Sequence, residues 1–385
     1  MQQNLRIPGP TPLPADVRAA QSAQMIDHRG TDFAEMLRET SRGIGSLIGA
    51  SGEVLLLTGS GTGGMEAAVV NTLSPGDRVL VVVTGGFGDR FAAIATAFGA
   101  SVERLEFTWG EPADPAVLRD HLAAQPPYAA VLVTHNETST GVTNPLETLV
   151  AEIRSAPGEP LAVVDGISGL GAIPFEMDAW GVDLVVSASQ KAWMAPPGIA
   201  IVALGERGTA AIERARMPRY YWDLRKAAEL AEKGQTPWTP AVSVLYGLRV
   251  GVSRLVAEGR SNTWARHAAI ARATEAGLET LGLRVIAPEG YRSGTVTAAY
   301  LPDGIEWAAF NSAMRARGLI IAGGQGQFAG RIVRFGHMGD VPLDELTAAV
   351  QVMGEVLRDL GTDADVRAAV ETTHRIVSSA TAAVA

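Results

Sequence analysis

The first half of the sequence alternates short, continuous apolar runs with segments of helical pattern. The apolar runs cover residues 54–57, 79–83, 128–133, 161–164, 182–186 and 199–202. Continuous runs, in contrast to alternating ones, are typical of strands buried on both faces of a mostly parallel sheet. The helical patterns between them, such as 65–71 and 89–98, favour right-handed crossovers. This part of the chain is therefore predicted to form a doubly wound α/β domain.

The pattern of the second half is different. Residues 205–260 are helical and polar in pattern, and a long amphipathic helix is predicted over 261–282. Four strand patterns follow at 283–286, 295–300, 319–321 and 331–335, with helical patterns at 305–317 and 342–360. This mixture predicts a smaller α+β domain. We expect an N-terminal segment, 1–16, near the active site, a large domain, 17–258, and a small C-terminal domain, 259–385.

The composition argues against several classes of protein. The 385 residues are 47% hydrophobic, as is usual for folded proteins, and 32 basic and 41 acidic residues give a net charge of −9. The acidic balance argues against nucleic acid and anionic membranes as partners. No apolar run reaches the ~18 residues of a membrane helix. The start has no hydrophobic signal core, so a cytoplasmic protein is expected.

The chain contains no cysteine. This removes disulfides, thiolate metal sites, iron–sulfur clusters and cysteine nucleophiles from consideration. The six histidines show no H-x-H or H-E-x-x-H spacing, so no metal site is predicted.

Lysine is almost absent as well. Among the 32 basic residues only Lys191, Lys226 and Lys233 are lysines, and the last two lie in a charged helical pattern typical of a solvated face. Lys191 instead follows a predicted buried strand. Burial lowers the pKa of an amine and leaves it neutral and reactive. Because arginine cannot form a Schiff base, a lysine here suggests that the amine itself reacts; an ion pair with Asp165 is the alternative.

A glycine-rich turn, Gly59-Ser-Gly-Thr-Gly-Gly64, follows the first buried strand and opens a helix. It formally matches G-x-G-x-x-G, but the next strand does not end in the acidic residue that a dinucleotide site needs. Free N–H groups at a helix start bind phosphate, and the hydroxyls of Ser60 and Thr62 are further donors. A nicotinamide-dependent oxidoreductase that uses residues 59–64, and a turn without any ligand, remain as alternatives.

Asp165 follows the strand at 161–164, and Lys191 follows the strand at 182–186. Ligands of open α/β sheets collect at the carboxyl ends of the strands. A lysine to form an imine, an acid to keep a pyridine nitrogen protonated and a phosphate-binding helix start are what pyridoxal phosphate (PLP) requires. Phe87, after the strand at 79–83, is placed to stack on the cofactor ring. Taken alone, Asp165 is equally consistent with a helix cap or an internal ion pair.

Several motifs resemble the class V branch of the fold-type-I PLP-dependent aminotransferases, closest to the alanine–glyoxylate and serine–glyoxylate (serine–pyruvate) enzymes. The motifs are Pro8-Gly-Pro-Thr11, Gly59-Ser-Gly-Thr-Gly-Gly-Met-Glu66, Thr134-His-Asn-Glu-Thr-Ser-Thr-Gly141, Val164-Asp-Gly-Ile-Ser168, Ser187-Ala-Ser-Gln-Lys-Ala192, Ala195-Pro-Pro-Gly198 and Val333-Arg-Phe-Gly336. They span nearly the whole chain in family order. The resemblance implies a PLP-binding large domain with a mostly parallel sheet and a smaller C-terminal domain.

The resemblance also implies roles for individual residues. Lys191 corresponds to the lysine of the internal aldimine, and Asp165 to the partner of the pyridine nitrogen. Phe87 takes the stacking position, where several relatives carry tryptophan. On the phosphate side, the implied cofactor contacts are Ser60, Gly61, Thr62 and Gln190. The implied ring contacts are Thr138 and Ile167. Thr239 and Thr236 are implied as contacts from the neighbouring subunit, although relatives often carry tyrosine at the position of Thr236. Arg334 corresponds to the arginine that binds the substrate carboxylate, with Gly9 and Pro10 as further substrate contacts.

The implied function is transamination of a small amino acid (alanine, serine or aspartate) with glyoxylate or pyruvate as acceptor. The reaction is expected to be ping-pong and to run in a homodimer. Cysteine desulfuration is disfavoured because it needs a cysteine. Transamination of phosphoserine would require additional cationic contacts, which the sequence does not locate. A protein that binds the cofactor without catalysis is a further alternative.

Overall fold

The computed structural model of the chain describes residues 3–384 and, for residues 380–384, the backbone alone. The strands are β1 (Asn4–Arg6), β2 (Val54–Gly59), β3 (Arg78–Val83), β4 (Ser101–Glu106), β5 (Ala130–Thr134), β6 (Asn136–Glu137), β7 (Val142–Thr143), β8 (Leu161–Asp165), β9 (Leu184–Ala188), β10 (Gly198–Leu204), β11 (Arg284–Val285), β12 (Val296–Tyr300), β13 (Leu319–Gly323) and β14 (Ile332–Gly336). The helices are α1 (Ala15–Ala20), α2 (Thr31–Ile48), α3 (Gly61–Thr72), α4 (Gly86–Ala97), α5 (Pro115–Ala124), α6 (Leu146–Ser155), α7 (Met177–Trp180), α8 (Glu206–Arg214), α9 (Leu224–Glu232), α10 (Val242–Glu258), α11 (Arg260–Thr280), α12 (Trp307–Ala316), α13 (Leu343–Asp359) and α14 (Val366–Val384).

The larger sheet has the strand order β2-β10-β9-β8-β5-β3-β4. Strands β9, β8, β5, β3 and β4 pair in parallel, and β10 runs antiparallel to both of its neighbours. The carboxyl ends of β2, β8 and β9 therefore meet at one edge of the sheet, where open α/β sheets bind their ligands. The predicted mostly parallel, doubly wound α/β fold is confirmed.

Helices cover both faces of this sheet, which explains the continuous apolar runs. In β5, Val131 and Val133 pack into the core beneath α2, α5, α6 and α10. The alternate residues Ala130 and Leu132 pack into the opposite core beneath α3, α4, α8 and α9. Because the central strands of the sheet are buried on both sides, their positions are almost all apolar. Full burial of one such aliphatic side chain stabilises the fold by about 1.5–3 kcal/mol.

The smaller sheet has the order β1-β13-β14-β12-β11. Its C-terminal strands pair antiparallel, and a third core holds them against α11, α12, α13 and α14. The N-terminal strand β1 joins this sheet in parallel with β13, where Leu5 lies opposite Ile320. The chain then turns from the small sheet toward the large one within a few residues. The domain bounds given above stay a prediction.

None of the described helices combines the length and the apolar composition that crossing a bilayer requires.

Candidate active site

The start of α3 packs directly against the residues that follow β8 and β9. A Cβ on Gly61 would lie 2.7 Å from Ile167 Cδ1 and 3.1 Å from Ala188 Cβ. A larger residue at the first position of the helix would therefore have to displace the Ile167 side chain and crowd Ala188, so the close packing favours glycine there. The three strand ends that the sequence singled out are thus in contact, with residues 60–62, Asp165 and Lys191 around one edge of the sheet.

The N-terminus of α3 is only partly capped by its own chain. Ser60 is the N-cap residue, and its hydroxyl accepts a hydrogen bond from Gly63 N at 3.3 Å. The N–H groups of Gly61 and Thr62 have no acceptor within the helix. They are free donors at the positive end of the helix dipole, which is the arrangement that binds phosphate.

Asp165 ends β8 and is buried, with 3% of its surface exposed. Its Oδ1 accepts a single backbone hydrogen bond, from Ile167 N at 2.9 Å. The pKa of Asp165 is raised to about 7, mainly by burial and in part by Glu137, against the lowering effects of the Ile167 hydrogen bond, Lys191 and Arg90. We call Asp165 together with residues 60–62 the open corner, because its polar groups have few partners within the chain.

Lys191 lies in the turn after β9, and its Nζ donates a hydrogen bond to the carbonyl oxygen of Pro8. Gly9 has a φ of +112°, and a Cβ there would lie 2.8 Å from Lys191 Nζ. Only glycine fits this position, so the N-terminal segment passes directly over the amine. Burial lowers the pKa of Lys191 to about 8; Asp165 raises it, and Arg334 and Arg90 lower it.

The start of α4 carries Phe87 and is capped completely by two residues that the sequence analysis did not single out. Glu137 Oε2 accepts hydrogen bonds from Phe87 N (3.0 Å) and Gly88 N (3.2 Å). Ser139 Oγ accepts from Gly86 N at 2.9 Å and donates to Glu137 Oε1 at 2.6 Å. We call the start of α4 with Glu137 and Ser139 the closed corner. Both residues lie within the motif 134–141, and the resemblance alone implies no role for either of them.

Glu137 is fully buried and satisfied by the chain itself. Ser139 N also donates to its Oε1, at 3.0 Å. Burial raises the pKa of Glu137, and the hydrogen bonds from Ser139, Gly88 and Phe87 lower it. The hydrogen bonds of the closed corner thereby fix the first turn of α4, which carries the Phe87 side chain.

Arg334 reaches the same place from the small sheet. It lies on β14 with 7% of its surface exposed. Its Nε donates to Gly323 O at 2.8 Å, and its Nη1 lies 3.5 Å from Thr138 O. Burial lowers its pKa, and Glu137 raises it. Thr138 in turn donates its hydroxyl to Ser168 Oγ at 2.7 Å. The guanidinium is therefore held in position between β13 and the segment that follows β6.

A cleft of about 330 Å³ opens between these groups. Its lining includes Gly9, Phe87, Thr138, Lys191 and Arg334. Two of the predicted substrate contacts, Gly9 and Arg334, therefore line the same cleft as Lys191.

Other predicted site residues lie farther out. Pro10 is exposed and is not part of the cleft lining. Thr239 is exposed, whereas Thr236 is buried and donates its hydroxyl to Trp238 O at 2.7 Å. The roles of all three remain predictions.

The residues present fit PLP. Gln190 Oε1 is buried and has no hydrogen-bond partner among the described residues, and an amide group can present either its oxygen or its NH₂ at such a place. The free N–H groups of α3 fit a phosphate, Asp165 fits the pyridine nitrogen, and the Lys191 amine lies beside the cleft. No group of three His, Cys, Asp or Glu suited to a metal ion occurs in residues 3–384 within the described side chains.

Comparison with known proteins gives a consistent result. The family model described as Aminotransferase class-V matches residues 16–333. The chain is 39% identical over 382 residues to a Synechococcus protein named soluble hydrogenase, small subunit, with 98% of each chain covered. It is 36% identical over 366 residues to the L-aspartate–glyoxylate aminotransferase of Paracoccus denitrificans, covering 94% of this chain and 92% of that protein. The crystal structure of a subgroup IV aspartate aminotransferase from Thermus thermophilus superposes with a TM-score of 0.86 at 33% identity, covering 92% of this chain and 99% of the other.

Proposed function

The chain belongs to the class-V aminotransferase family, and from this premise we propose that it transfers the amino group of a small amino acid to glyoxylate or pyruvate in the cleft beside Lys191. It is an aminotransferase that uses PLP. The observation that carries the proposed site is the position of the Lys191 amine: its pKa is lowered to about 8, Gly9 covers it, and Arg334 lines the same cleft.

Lys191 is proposed to hold the cofactor and to move the substrate's proton. When bound, PLP supplies an aldehyde that links to amines and a ring that takes up the electron pair released at the α-carbon. An amine with a pKa of about 8 is neutral in roughly one tenth of the molecules at pH 7, far more than an ordinary lysine, so Lys191 can accept that proton and return it. The carbonyl of Pro8 orients the Lys191 Nζ while it does so.

The open corner is proposed to hold the two polar ends of the cofactor. The N–H groups of residues 61 and 62, with Ser60 and Gln190, would bind the phosphate. Asp165 would pair with the pyridine nitrogen, which compensates the cost of burying its carboxylate. Phe87, Thr138 and Ile167 would contact the ring.

Arg334 is proposed to bind the substrate's α-carboxylate. Its Nε donates to Gly323 O and its Nη1 lies 3.5 Å from Thr138 O, which leaves N–H groups of the guanidinium for a ligand of the cleft that Arg334 lines. A fork of two N–H donors matches a carboxylate in geometry and charge. Gly9 and Pro10 are proposed to border the substrate on the N-terminal side.

Glyoxylate as acceptor is supported by the name of the Paracoccus relative, and alanine, serine and aspartate are the donors proposed. The nicotinamide-dependent oxidoreductase alternative finds no support. At the end of β3, where a dinucleotide site needs a carboxylate, Thr84 accepts a hydrogen bond from Asn144 Nδ2 at 3.0 Å. The hydrogenase named for one relative finds no chemical counterpart here, because the chain has no cysteine to bind a metal cluster.

A homodimer is proposed on the basis of an aromatic cluster at the surface beside the open corner. Tyr220 is 77% exposed, and its ring lies 5.0 Å from that of Trp238. Tyr221 stacks on Trp238 at 5.9 Å, and Trp222 packs against Gly59 and Gly63 at the start of α3. Exposed aromatic surface of this kind is typical of an interface. Sedimentation equilibrium would test this. The cytoplasmic location stays a prediction.

The test of the proposed site uses Lys191→Ala with Lys233→Ala as the control. Lys191→Ala is expected to lose transamination by at least about 10³-fold, with an unchanged circular dichroism spectrum. Lys233→Ala should keep wild-type activity, because Lys233 is exposed outside the cleft. Borohydride reduction of the loaded wild-type enzyme, followed by peptide mapping, should place the cofactor on Lys191. A tag on another peptide, or full activity of Lys191→Ala, would overturn the assignment.

A further inference from the structure

The cleft beside Lys191 carries more positive charge than a monocarboxylic amino acid requires. Three cationic side chains, Lys191, Arg315 and Arg334, belong to its lining. No aspartate or glutamate is among the residues that line it in the described part of the chain. With Lys191 assigned to the cofactor and Arg334 to the α-carboxylate, Arg315 has no partner in the proposed reaction.

Arg315 lies in the last turn of α12, and its side chain extends to the mouth of the cleft. Its Nε donates to Asn311 Oδ1 at 3.3 Å, and Asn311 is itself part of the lining. Among the ion pairs formed by described residues, none includes Arg315. Its two terminal nitrogens are thus available to an anion from the cleft.

A basic residue at a helix C-terminus also stabilises the helix through the dipole, which would explain Arg315 without a ligand. Arg317, two positions further on, shows the contrast. It pairs with Asp359 on α13 and does not line the cleft. Of two arginines at the same helix end, one is neutralised by the protein and the other is directed to the substrate side without a counter-charge.

We propose that Arg315 binds a second anionic group, at the end of the donor's side chain, and that the enzyme therefore prefers dianionic amino acids. The chemical class is an amino acid whose side chain ends in a carboxylate or a phosphate monoester. This rests on the proposed function, because it takes Arg334 as the α-carboxylate site. It also supplies the additional cationic contact that the sequence alone does not locate.

The position of Arg315 sets the size of the effect. Because its side chain is exposed, water and salt screen its attraction for an anion. We therefore expect a preference of about tenfold, which weakens as the ionic strength rises.

The first experiment measures binding without reaction. Succinate and propionate are the unreactive carbon skeletons of aspartate and alanine, with two carboxylates and one. Titrated into the PLP-loaded enzyme, succinate should bind about tenfold more tightly than propionate. Arg315→Gln should abolish this difference by weakening succinate alone, and Arg317→Gln should keep it. Equal affinities in the wild type, or an equal loss of both ligands in Arg315→Gln, would overturn the proposal.

The second experiment measures the half-reaction of the loaded enzyme with aspartate, O-phosphoserine and alanine. Arg315→Gln should raise the KM of at least one dianionic donor about tenfold, leave kcat unchanged and leave alanine unaffected. A loss confined to aspartate identifies a carboxylate as the ligand of Arg315, and a loss confined to O-phosphoserine identifies a phosphate. Unchanged KM values for both dianionic donors would refute the role of Arg315. Absence of any half-reaction in the wild type, with succinate still preferred, would instead refute the proposed function.

Discussion

The closed corner and the open corner are built from the same local pattern and are completed in opposite ways. In both, a buried strand of the large sheet leads through glycines into a helix of twelve residues, α3 or α4. At α4 the chain supplies the anion itself, because Glu137 and Ser139 accept from the first N–H groups. At α3 only Ser60 caps the helix. A helix N-terminus is available to a phosphate only where the protein has not already filled it.

The two buried carboxylates of these corners show the same difference. Glu137 accepts hydrogen bonds from two backbone N–H groups of α4 and from Ser139 N and Oγ. Asp165 accepts one, from Ile167 N. Burying a carboxylate with few hydrogen-bond partners is costly, and Asp165 in the open corner is the carboxylate that carries this cost. We infer that the closed corner supports the fold and that the open corner is completed by the cofactor.

The largest expected effect comes from opening the closed corner. Glu137→Ala leaves the N–H groups of Phe87 and Gly88 buried without an acceptor and creates a cavity. We expect the free energy of unfolding to fall by about 3 kcal/mol or more, measured by urea denaturation of the cofactor-free protein.

Glu147→Ala is the matched control for that measurement. Glu147 is also an acidic residue at a helix start, in the first turn of α6, but it is exposed. Its removal should cost at most about 1 kcal/mol. If Glu137→Ala were as mild as Glu147→Ala, the distinction between the two corners would not hold.

The converse change is to close the open corner with an anion. Thr62→Glu places a carboxylate in the first turn of α3, where Thr62 is exposed. The cofactor-free protein should become slightly more stable, by about 0.5 kcal/mol, while the dissociation constant for PLP should rise about 100-fold. A spectroscopic titration with PLP measures this.

Thr62→Gln separates the effect of charge from the effect of size, because a glutamine side chain is as long as that of glutamate but carries no charge. Because it loses the Thr62 hydroxyl but adds no charge, it should bind PLP within about tenfold of the wild type and clearly more tightly than Thr62→Glu. Equal affinities of the Glu and Gln variants would show that no phosphate binds at the start of α3.

The central strands of the large sheet could be predicted because burial on both faces restricts their positions to apolar residue types. β5 and β8 are buried along their whole length, and every residue before the last one of each strand, Thr134 or Asp165, is apolar. The edge strand β4 has no fully buried residue, and its charged side chains gave no strand signal. The short strand β1 was missed for a related reason: its pairing with β13 joins residues more than 300 positions apart.

The cofactor side of the site could be predicted for the same reason as the sheet. Asp165 is the last residue of β8, and Lys191 lies three residues after the end of β9, so their positions at the sheet edge follow from the topology. Arg334 stands within a strand of the other sheet, and only the family resemblance pointed to it. The roles of Glu137 and Arg315 could not be assigned from the sequence. Glu137 acts by capping α4 and Arg315 by lining the cleft, and their partners there are distant in sequence.

The last expected effect, and the one most specific to the open corner, concerns how the stability of the cofactor-free protein depends on pH. The pKa of Asp165 is about 7 in the folded state and about 4 in an unfolded chain. Its contribution to stability is therefore fully present below about pH 4 and is lost as the pH rises through 7.

Asp165→Asn removes this loss, because asparagine can still accept from Ile167 N but carries no charge. Relative to the wild type, the variant should gain up to about 4 kcal/mol at pH 8 and almost nothing at pH 4, measured by thermal or urea unfolding at both values. Asp120→Asn, at an exposed position, should show no such pH-dependent gain. A gain of the same size at both pH values would mean that the charge of Asp165 is not what the open corner leaves uncompensated.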